Sequence, residues 1–295
     1  MKYPVIILLF FCLGFVQNRS LSINEFSTPV DEVKKKKRYR LPDIDLSHWK
    51  VTIPEGSGKG GALSVSPPDI LDYATDPQLL PYMYNDSAVG ALTFYAFPSK
   101  ATTANTKYSR SELREQMEPG NDNVNWTFKD GGKLKAKLAM KEVSTDASGK
   151  YHKVIVLQIH GRLTNEQRDL IGQKDNNAPP ILKIYWQNGK IRVKTKVLKN
   201  KRTTGKGLLY EEAWGDDQGR TFEEEVGFRK FMVEVKVSEG KMIVSLNKNE
   251  FFVYDDISIE KWGVFENYFK AGNYFQSRDE GAYAKVNFFD LSVEH

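Results

Sequence analysis

The sequence predicts an all-β protein: a β-jelly roll or sandwich of two antiparallel sheets. From Leu41 onward, short runs of alternating apolar and polar residues are separated by turn signals such as Asp130-Gly131-Gly132 and Asn188-Gly189. Segments with the 3.6-residue period of a helix are few and short. No internal repeat of the kind that marks propellers and solenoids is present. Many short strands with frequent turns therefore favour a sandwich or jelly roll.

Two hairpins and one short helix are predicted within this pattern. Ile181–Trp186 and Ile191–Val197 flank Asn188-Gly189, the sequence typical of a type I′ hairpin turn. Phe231–Val237 and Met242–Leu246 are predicted to form a second hairpin, with its turn at Ser238–Lys241. Pro67–Leu71 is predicted to begin a short helix, since proline is tolerated in a first turn. Helical content is otherwise expected to be small.

The bulk composition leaves the class of partner open. Of 295 residues, 40% are hydrophobic and 12% aromatic, which is ordinary for a globular protein with a buried core. The formal net charge of +5 suits nucleic acid, an anionic membrane or a polyanionic sugar, so the placement of the charges must decide. The simplest partition is a signal peptide at 1–18, a flexible basic linker at 19–42 and one domain at 43–295.

The first residues carry the features of a secretory signal. Lys2 precedes the apolar run Val5–Val16, which has signal-peptide length and is short for a membrane span. A short membrane anchor, a buried strand or a lipoprotein modified at Cys12 are the alternatives. Cys12 is the only cysteine, so cleavage leaves no thiol, which excludes a disulfide scaffold, a cysteine-ligated metal and a thiol enzyme. We predict a secreted protein, extracellular or periplasmic, with no stable membrane association after processing.

A dense basic run, Lys34–Arg40, lies near the end of the predicted linker. Like charges at this density repel one another and few apolar residues accompany them, which favours a flexible segment. An arm that binds nucleic acid or an anionic surface is the alternative. We predict a linker, no nucleic-acid partner and a monomeric protein.

Three predicted strands, at 108–116, 154–160 and 268–276, each carry one polar face. Side chains alternate across a strand, so every second residue shares a face. The even-numbered positions are Tyr108, Arg110, Glu112, Arg114 and Gln116; Val154, Val156, Gln158 and His160; and Tyr268, Lys270, Gly272, Tyr274 and Gln276. In the second strand Ile155, Leu157 and Ile159 form the opposite, apolar face. An ordinary solvated face is the alternative for any one strand, but such faces seldom combine guanidinium, imidazole and phenol groups.

Histidine placement narrows the candidates for acid–base chemistry. Of the four histidines, only His160 lies two residues from a glutamine on a polar face. A lone histidine is more often structural than catalytic, but the neighbouring strands favour a site here. The first hairpin adds Arg192, Lys194 and Lys196 on one face, which predicts a cationic lane for an extended anion.

Three motifs in order resemble the signature strands of polysaccharide lyase family 7, the alginate lyases. These are Arg110–Arg114 (RSELR), Gln158–His160 (QIH) and Tyr268–Gln276 (YFKAGNYFQ). Ile44–Pro54 is similar to the family's opening strand and Pro179–Lys183 to its middle. The resemblance covers roughly residues 43–294. It implies a jelly roll whose concave sheet holds alginate, a 1,4-linked polyuronate, in a groove.

The resemblance also implies roles for individual residues. His160 matches the general base and Tyr274 the general acid, with Tyr274 serving as both for some epimers as the alternative. Gln158 and Arg110 match the groups that bind the uronate carboxylate. The residues expected to position or bind the chain are Glu112, Arg114, Lys270, Gln276, Lys183, Arg192 and Lys194. Ile159 resembles members that act on guluronate-containing blocks, so we expect endolytic cleavage with that preference. Asn273 and Phe275 depart from the pattern, since other members often have Val and Asn there.

The chemistry of β-elimination explains why these groups are needed. The proton on C5 is weakly acidic because the adjacent carboxylate resists more negative charge, so Arg110 and Gln158 would stabilise the enolate-like intermediate. A neutral histidine can take the proton, and a tyrosine can protonate the departing oxygen. A further hypothesis is that Lys270 or Arg110 lowers the pKa of Tyr274. No metal or other cofactor is expected, since no metal-ligand spacing is present.

Three other functions remain open at this point. A glycoside hydrolase needs two carboxylates at a set separation, and the acidic run Glu223–Glu225 lacks the alternation that would provide them. A non-catalytic polyuronate-binding module would not need both His160 and Tyr274. A lyase of another polyuronate, such as glucuronan, would use the same chemistry.

Overall fold

The computed structural model describes residues 40–58, 60–103 and 106–295. The predicted signal peptide, Cys12 and nearly all of the predicted linker lie outside the described residues. Within the described part of the chain, short strands alternate with tight turns, as the sequence pattern predicts. The strands are β1 (Trp49–Gly56), β2 (Ala62–Val65), β3 (Met83–Asp86), β4 (Ala91–Ala96), β5 (Arg110–Glu115), β6 (Trp126–Thr127), β7 (Gly132–Val143), β8 (Val154–Arg162), β9 (Asn177–Gln187), β10 (Lys190–Leu198), β11 (Trp214–Asp216), β12 (Arg220–Glu225), β13 (Phe231–Ser238), β14 (Lys241–Leu246), β15 (Glu250–Tyr254), β16 (Glu266–Phe275) and β17 (Ala284–Glu294).

The strands form two antiparallel sheets, which confirms the all-β jelly-roll prediction. The first, here called the site sheet, has the order β11-β10-β9-β8-β16-β5-β1-β2, with β12 paired to β10 and β6 to β16. The second, the back sheet, has the order β15-β14-β13-β7-β17-β4-β3. Strands distant in sequence, such as β5, β8 and β16, are therefore neighbours in space.

Helices are short and few among the described residues, as expected. The α-helices are α1 (Asn165–Ile171) and α2 (Ile257–Trp262). The 3-10 helices are Asp69–Asp72, Gly205–Leu209 and Glu211–Ala213. The first of these lies at the predicted Pro67–Leu71 helix, one residue longer at its end and starting two residues later. No helix in the described ranges is long and apolar enough to cross a membrane.

Both predicted hairpins are present. β9 and β10 are joined by Asn188 and Gly189, whose φ angles of 49° and 80° fit a type I′ turn. β13 and β14 form the second hairpin, with Ser238 opposite Lys241.

The hydrophobic core lies between the two sheets. Large aromatic side chains from both sheets are fully buried there, among them Trp126, Phe269 and Phe275 from the site sheet and Phe94 and Phe288 from the back sheet. Burying side chains of this size dominates the stability of a sandwich. The core holds the inner face of the site sheet in place and leaves its outer face for the polar groups.

Candidate active site

The three predicted polar strands are direct neighbours in the site sheet, in the order β8-β16-β5. Pairing of β16 with β5 places Tyr274 opposite Arg110 and Lys270 opposite Arg114. Pairing of β16 with β8 places Lys270 also opposite Gln158, and Tyr268 opposite His160. Residues opposite one another in a ladder point to the same side of the sheet, so the polar faces converge.

The prediction that the even-numbered residues of β8 share the outer face is correct for the second half of the strand and wrong for its first half. Gln158 and His160 face the outer side, but Val154 and Val156 lie in the core, and Ile155 lines the outer cavity with Tyr274. A β-bulge explains the change, because the pairing with β9 shifts by one residue between Ile155 and Leu157. A bulge adds one residue to a strand and so reverses the alternation beyond it.

A cavity of about 320 Å³ in the outer face of the site sheet, here called the central cavity, gathers the four predicted catalytic residues. His160, Gln158, Arg110 and Tyr274 all line it. Lys183 and Gln276, predicted to bind the chain, line it as well.

Glu112 lies beneath this cavity, with a fully buried side chain. Its carboxylate accepts hydrogen bonds from Arg110 Nη1 at 2.9 Å and Gln158 Nε2 at 2.5 Å, and forms an ion pair with Lys270 Nζ at 2.5 Å. Burial alone would raise the pKa of Glu112, but Lys270 and Arg110 outweigh it and hold the pKa below its ordinary value. Since Glu112 is out of reach of a ligand in the cavity, its place in the site is to orient three side chains.

Within the described part of the chain, Arg110 forms a side-chain hydrogen bond through only one of its three guanidinium nitrogens. One guanidinium nitrogen, Nη1, donates to Glu112, and Cζ lies 3.8 Å from the centroid of the Tyr274 ring. The other two nitrogens, Nε and Nη2, are buried and have no hydrogen-bond partner among the described residues. Unpaired buried donors are costly and rare in folded proteins. They form a vacant fork of the kind that binds a carboxylate.

His160 is arranged as a neutral base. Its Nδ1 lies 3.0 Å from the carbonyl oxygen of Gly161, which can only accept, so Nδ1 carries the hydrogen and Nε2 is free to take a proton. The ring stacks on Tyr268, with centroids 5.2 Å apart and planes 12° apart. Burial and the nearby Lys270 lower the pKa of His160 to about 3. The imidazole is therefore unprotonated through the whole neutral range.

Tyr274 is arranged as a protonated acid. Burial raises its pKa above the ordinary value, although the adjacent Arg110 acts in the opposite direction. Arg110 therefore lowers the pKa of Tyr274, as hypothesised, but loss of hydration outweighs this effect and the net shift is upward. For Lys270, burial and repulsion by Arg110 lower the pKa to about 8.

A second cavity, of about 410 Å³, adjoins the central cavity and shares Arg110 and His160 with it. Arg114 and Lys270 line it, together with Tyr268 and Lys50. The Arg114 guanidinium is already engaged: it donates to backbone and side-chain oxygens at 2.7 to 3.0 Å and lies 4.1 Å from the centroid of the Tyr268 ring. Arg114 therefore supports Tyr268, which in turn supports His160.

A third cavity, of about 430 Å³, adjoins the central cavity on the hairpin side and shares Tyr185 and Gln276 with it. Arg192 and Lys194 line it, as the predicted cationic lane requires. The lane is less positive than its sequence indicates. Asp216 pairs with Lys183 at 3.3 Å and with Lys196 at 2.9 Å.

Several residues of the central and second cavities were missed by sequence reasoning. Tyr268 was placed on the polar face but given no role, although it stacks on His160. Tyr185 shares its β9 face with Lys183, a signal that the alternation rule could have supplied. Glu211 begins a short 3-10 helix between β10 and β11, and no local pattern places its carboxylate at a distant site.

The described residues contain no group of three or more His, Cys, Asp or Glu side chains close enough to hold a metal ion. A neutral histidine, a protonated tyrosine and a vacant guanidinium fork together can remove a proton next to a carboxylate and protonate a leaving oxygen.

Comparison with known proteins agrees with this geometry. The family model described as alginate lyase matches residues 44–295. No curated protein sequence matches the chain. Among solved structures, alginate lyase A1-II′, a member of polysaccharide lyase family 7, is 30% identical, with 85% of this chain and 96% of that chain covered and a TM-score of 0.67.

Two further structures extend the comparison. An A1-II′ variant in complex with its product, GGG, is 30% identical over 85% of this chain and 96% of that chain, with a TM-score of 0.68. Alginate lyase PA1167 from Pseudomonas aeruginosa is 24% identical over 85% of this chain and all of that chain, with a TM-score of 0.61, a likeness in fold alone. Since the family model spans most of the sequence, the chain belongs to polysaccharide lyase family 7, the alginate lyases.

Proposed function

We propose that this polysaccharide lyase cleaves alginate endolytically by β-elimination, with a preference for guluronate-containing blocks. In this proposal His160 is the general base and Tyr274 the general acid, while Arg110 and Gln158 bind the carboxylate of the sugar that loses its proton. The observation that carries the proposal is the vacant Arg110 fork, which lies in one cavity with an unprotonated imidazole and a protonated phenol.

The proposed reaction uses Arg110, His160 and Tyr274 in one step each. The sugar carboxylate accepts hydrogen bonds from Arg110 Nε and Nη2, which stabilise the negative charge that develops as C5 loses its proton. His160 Nε2 takes the C5 proton, the C4–O4 bond breaks, and a double bond forms between C4 and C5. Tyr274 gives its phenolic proton to O4 of the departing chain. The raised pKa of Tyr274 keeps this proton in place until the bond breaks.

Endolytic action is supported by the row of three cavities. The central cavity continues into the second cavity, lined by Arg114, on one side and into the third cavity, lined by Arg192, on the other. A chain that crosses the site sheet would find cationic side chains on both sides of the bond to be cleaved. An enzyme limited to chain ends would need one side closed.

The guluronate preference rests on family resemblance. Ile159 is fully buried on the inner face of β8 and cannot touch substrate. Its effect on block preference would act through the packing behind Gln158 and His160. The A1-II′ complex with substrate, GGMG, shows that relative with an oligomer that is mainly G.

The direct test follows ultraviolet absorbance of the unsaturated uronate in guluronate-rich and mannuronate-rich alginate. The wild-type protein should give a rise, faster on the guluronate-rich polymer, and His160→Ala and Tyr274→Phe should each abolish most of it. His48→Ala is the matched control, because His48 is exposed and outside the three cavities. Product length early in the reaction separates endolytic from exolytic cleavage.

Each alternative predicts a different result. Activity on glucuronan without activity on alginate would show a lyase of another polyuronate. Binding of alginate without any absorbance change, from folded protein, would show a binding module. Wild-type rates in Tyr274→Phe would contradict the acid assignment.

We also propose that residues 1–18 direct secretion and that the processed protein is a monomer without nucleic-acid or membrane partners. The support is the sequence pattern of the first forty residues. Sequencing the amino terminus of the exported protein, and measuring its mass in solution, tests both statements.

A further inference from the structure

Two buried polar residues lie directly beneath the Arg110–Tyr274 pair, on the core side of the site sheet. Ser111 and Asn273 are opposite each other in the β5–β16 ladder, next to Arg110 and Tyr274, and both are completely buried. We call this pair the inter-sheet clamp. Asn273 is also a position at which the chain departs from the family pattern.

Both members of the clamp reach across the core to the back sheet. Asn273 Nδ2 donates to the carbonyl oxygens of Phe94 at 3.1 Å and Ala284 at 2.7 Å, in β4 and β17. Ser111 Oγ donates to the carbonyl oxygen of Tyr82, next to β3, at 3.0 Å. The outer-face pair of the site sheet is thus connected to two strands of the back sheet and to the residue that precedes β3.

The clamp is retained at an energetic cost. The two partners of Asn273 Nδ2 are carbonyls, which only accept, so the amide orientation is fixed and Oδ1 points away from them. Oδ1 is buried and has no hydrogen-bond partner in the described ranges. An unsatisfied buried acceptor destabilises a fold, and an apolar residue of similar size would avoid the penalty. An apolar residue would also leave the carbonyl oxygens of Phe94 and Ala284 without this donor, so the connection to the back sheet is what Asn273 supplies.

The backbone at this point explains what the clamp supplies. The β16–β8 pairing shifts between Ala271 and Tyr274, so regular pairing with β8 is interrupted immediately before Tyr274. Gly272 has a φ of 141°, and a Cβ there would lie 2.7 Å from the carbonyl oxygen of Ser111. The segment therefore lies close to β5 and bulges away from β8. Because regular hydrogen bonding to β8 is interrupted, backbone pairing alone does not fix how far the segment stands above the core.

We propose that the inter-sheet clamp is a positioning device for the reaction: Asn273, with Ser111, fixes the height and tilt of the Tyr274–Arg110 pair relative to His160. The inference rests on the proposed roles of Tyr274 and Arg110. Neither clamp residue touches substrate. A displacement of about 1 Å at a reacting group lowers a rate by roughly 100-fold, so small relaxation of the bulge has a large effect on turnover.

The test compares Asn273→Val and Ser111→Ala with Thr93→Val. The Thr93 hydroxyl donates to Asn287 Oδ1 at 2.8 Å, and both are buried in β4 and β17. Thr93→Val therefore removes a buried hydrogen bond from the same back-sheet strands without releasing the site sheet. All variants are measured for denaturant stability and, while folded, for kcat and KM on alginate.

Asn273→Val is expected to lower kcat by roughly 10- to 100-fold with KM within a few-fold of wild type, and Ser111→Ala to lower kcat less. Because a loosened Tyr274 is better hydrated, its pKa falls, and the alkaline limb of kcat should move to lower pH. Thr93→Val should lose stability but keep kcat and its pH profile. If Asn273→Val does not fold, the proposal is tested with Ser111→Ala, by the same comparison of kcat, KM and pH profile with Thr93→Val.

The proposal is overturned if kcat of the folded clamp variants equals that of Thr93→Val, or if KM rises while kcat and the pH profile stay unchanged. Failure of the proposed function would be distinct from either result. In that case the wild-type protein itself would show no elimination of alginate.

Discussion

The two sheets of this lyase both carry rows of charged side chains, yet the rows differ in burial and in balance. On the back sheet, lysines and carboxylates pair one to one near the surface, as in Lys135–Asp290 at 3.0 Å and Lys285–Glu142 at 2.9 Å. On the site sheet, one buried carboxylate, Glu112, pairs with two buried cations, Arg110 and Lys270.

The difference appears in the protonation of the lysines. On the back sheet the pKa of Lys285 is raised, chiefly by its hydrogen bond to Glu142. On the site sheet the pKa of Lys270 is lowered to about 8, chiefly by burial and by repulsion from Arg110. A balanced pair on the surface is satisfied without a ligand. The buried cluster has one carboxylate for two cations, so it keeps a surplus positive charge. The carboxylate of an anionic sugar can neutralise that surplus.

The largest effect is expected from removing the single carboxylate of the buried cluster. Glu112→Gln should destabilise the protein by about 3 kcal/mol, because it leaves buried cations without a counter-charge, and should nearly abolish activity by releasing Arg110 and Gln158. Asp290→Asn, on the back sheet, should cost about 1 kcal/mol or less and leave activity unchanged. Urea denaturation and absorbance assays measure both, and equal stability losses would contradict the distinction.

The next effect concerns the shape of the guanidinium. Arg110→Lys keeps the positive charge but loses the two unpaired N–H groups, so kcat/KM should fall by roughly 10- to 100-fold, the value of hydrogen bonds to a charged group. Arg192→Lys is the control, because Arg192 already donates to Thr221 Oγ1 at 3.1 Å and to the Gln218 carbonyl. Wild-type kcat/KM in Arg110→Lys would mean that charge alone matters, and a similar loss in both variants would contradict a special role for the two unpaired N–H groups of Arg110.

A smaller effect is expected in the pH profile. Lys270 loses its proton as pH rises through about 8, so kcat/KM should decline above that pH if its charge helps to hold the substrate. Arginine stays protonated there, and Lys270→Arg should move the decline to higher pH. On the acid side no decline is expected from His160 until pH approaches its pKa of about 3. An unchanged alkaline limb in Lys270→Arg would assign the limb to another group.

The smallest effect is expected from Glu211, a carboxylate in the wall of a cavity that takes a polyanion. Glu211→Gln should lower KM for alginate by roughly two- to five-fold at low salt, the scale of an exposed charge pair, and less at high salt. Its neighbour Glu212 is exposed and does not line the central cavity. Glu212→Gln should therefore leave KM unchanged, and a matching decrease would attribute the effect to net charge.

The sequence by itself determined the fold class, both hairpins and the strands that carry the site. The alternation of apolar and polar residues and the choice of turn residues are local properties of the sequence, so they can be recognised without the structure. The three motif strands also predicted the residues that line the central cavity. His160, Tyr274, Gln158 and Arg110 were all named from local pattern and family resemblance.

The tertiary structure alone decided what depends on contacts between distant strands. The bulge that turns Ile155 outward is set by pairing with β9, and the full burial of Glu112 by strands 46 and 158 residues away in sequence. The same holds for the pKa of Tyr274, whose direction depends on burial competing with Arg110. Sequence reports which groups are present, but hydration and charge balance are properties of the packed site, and these decide how each group behaves.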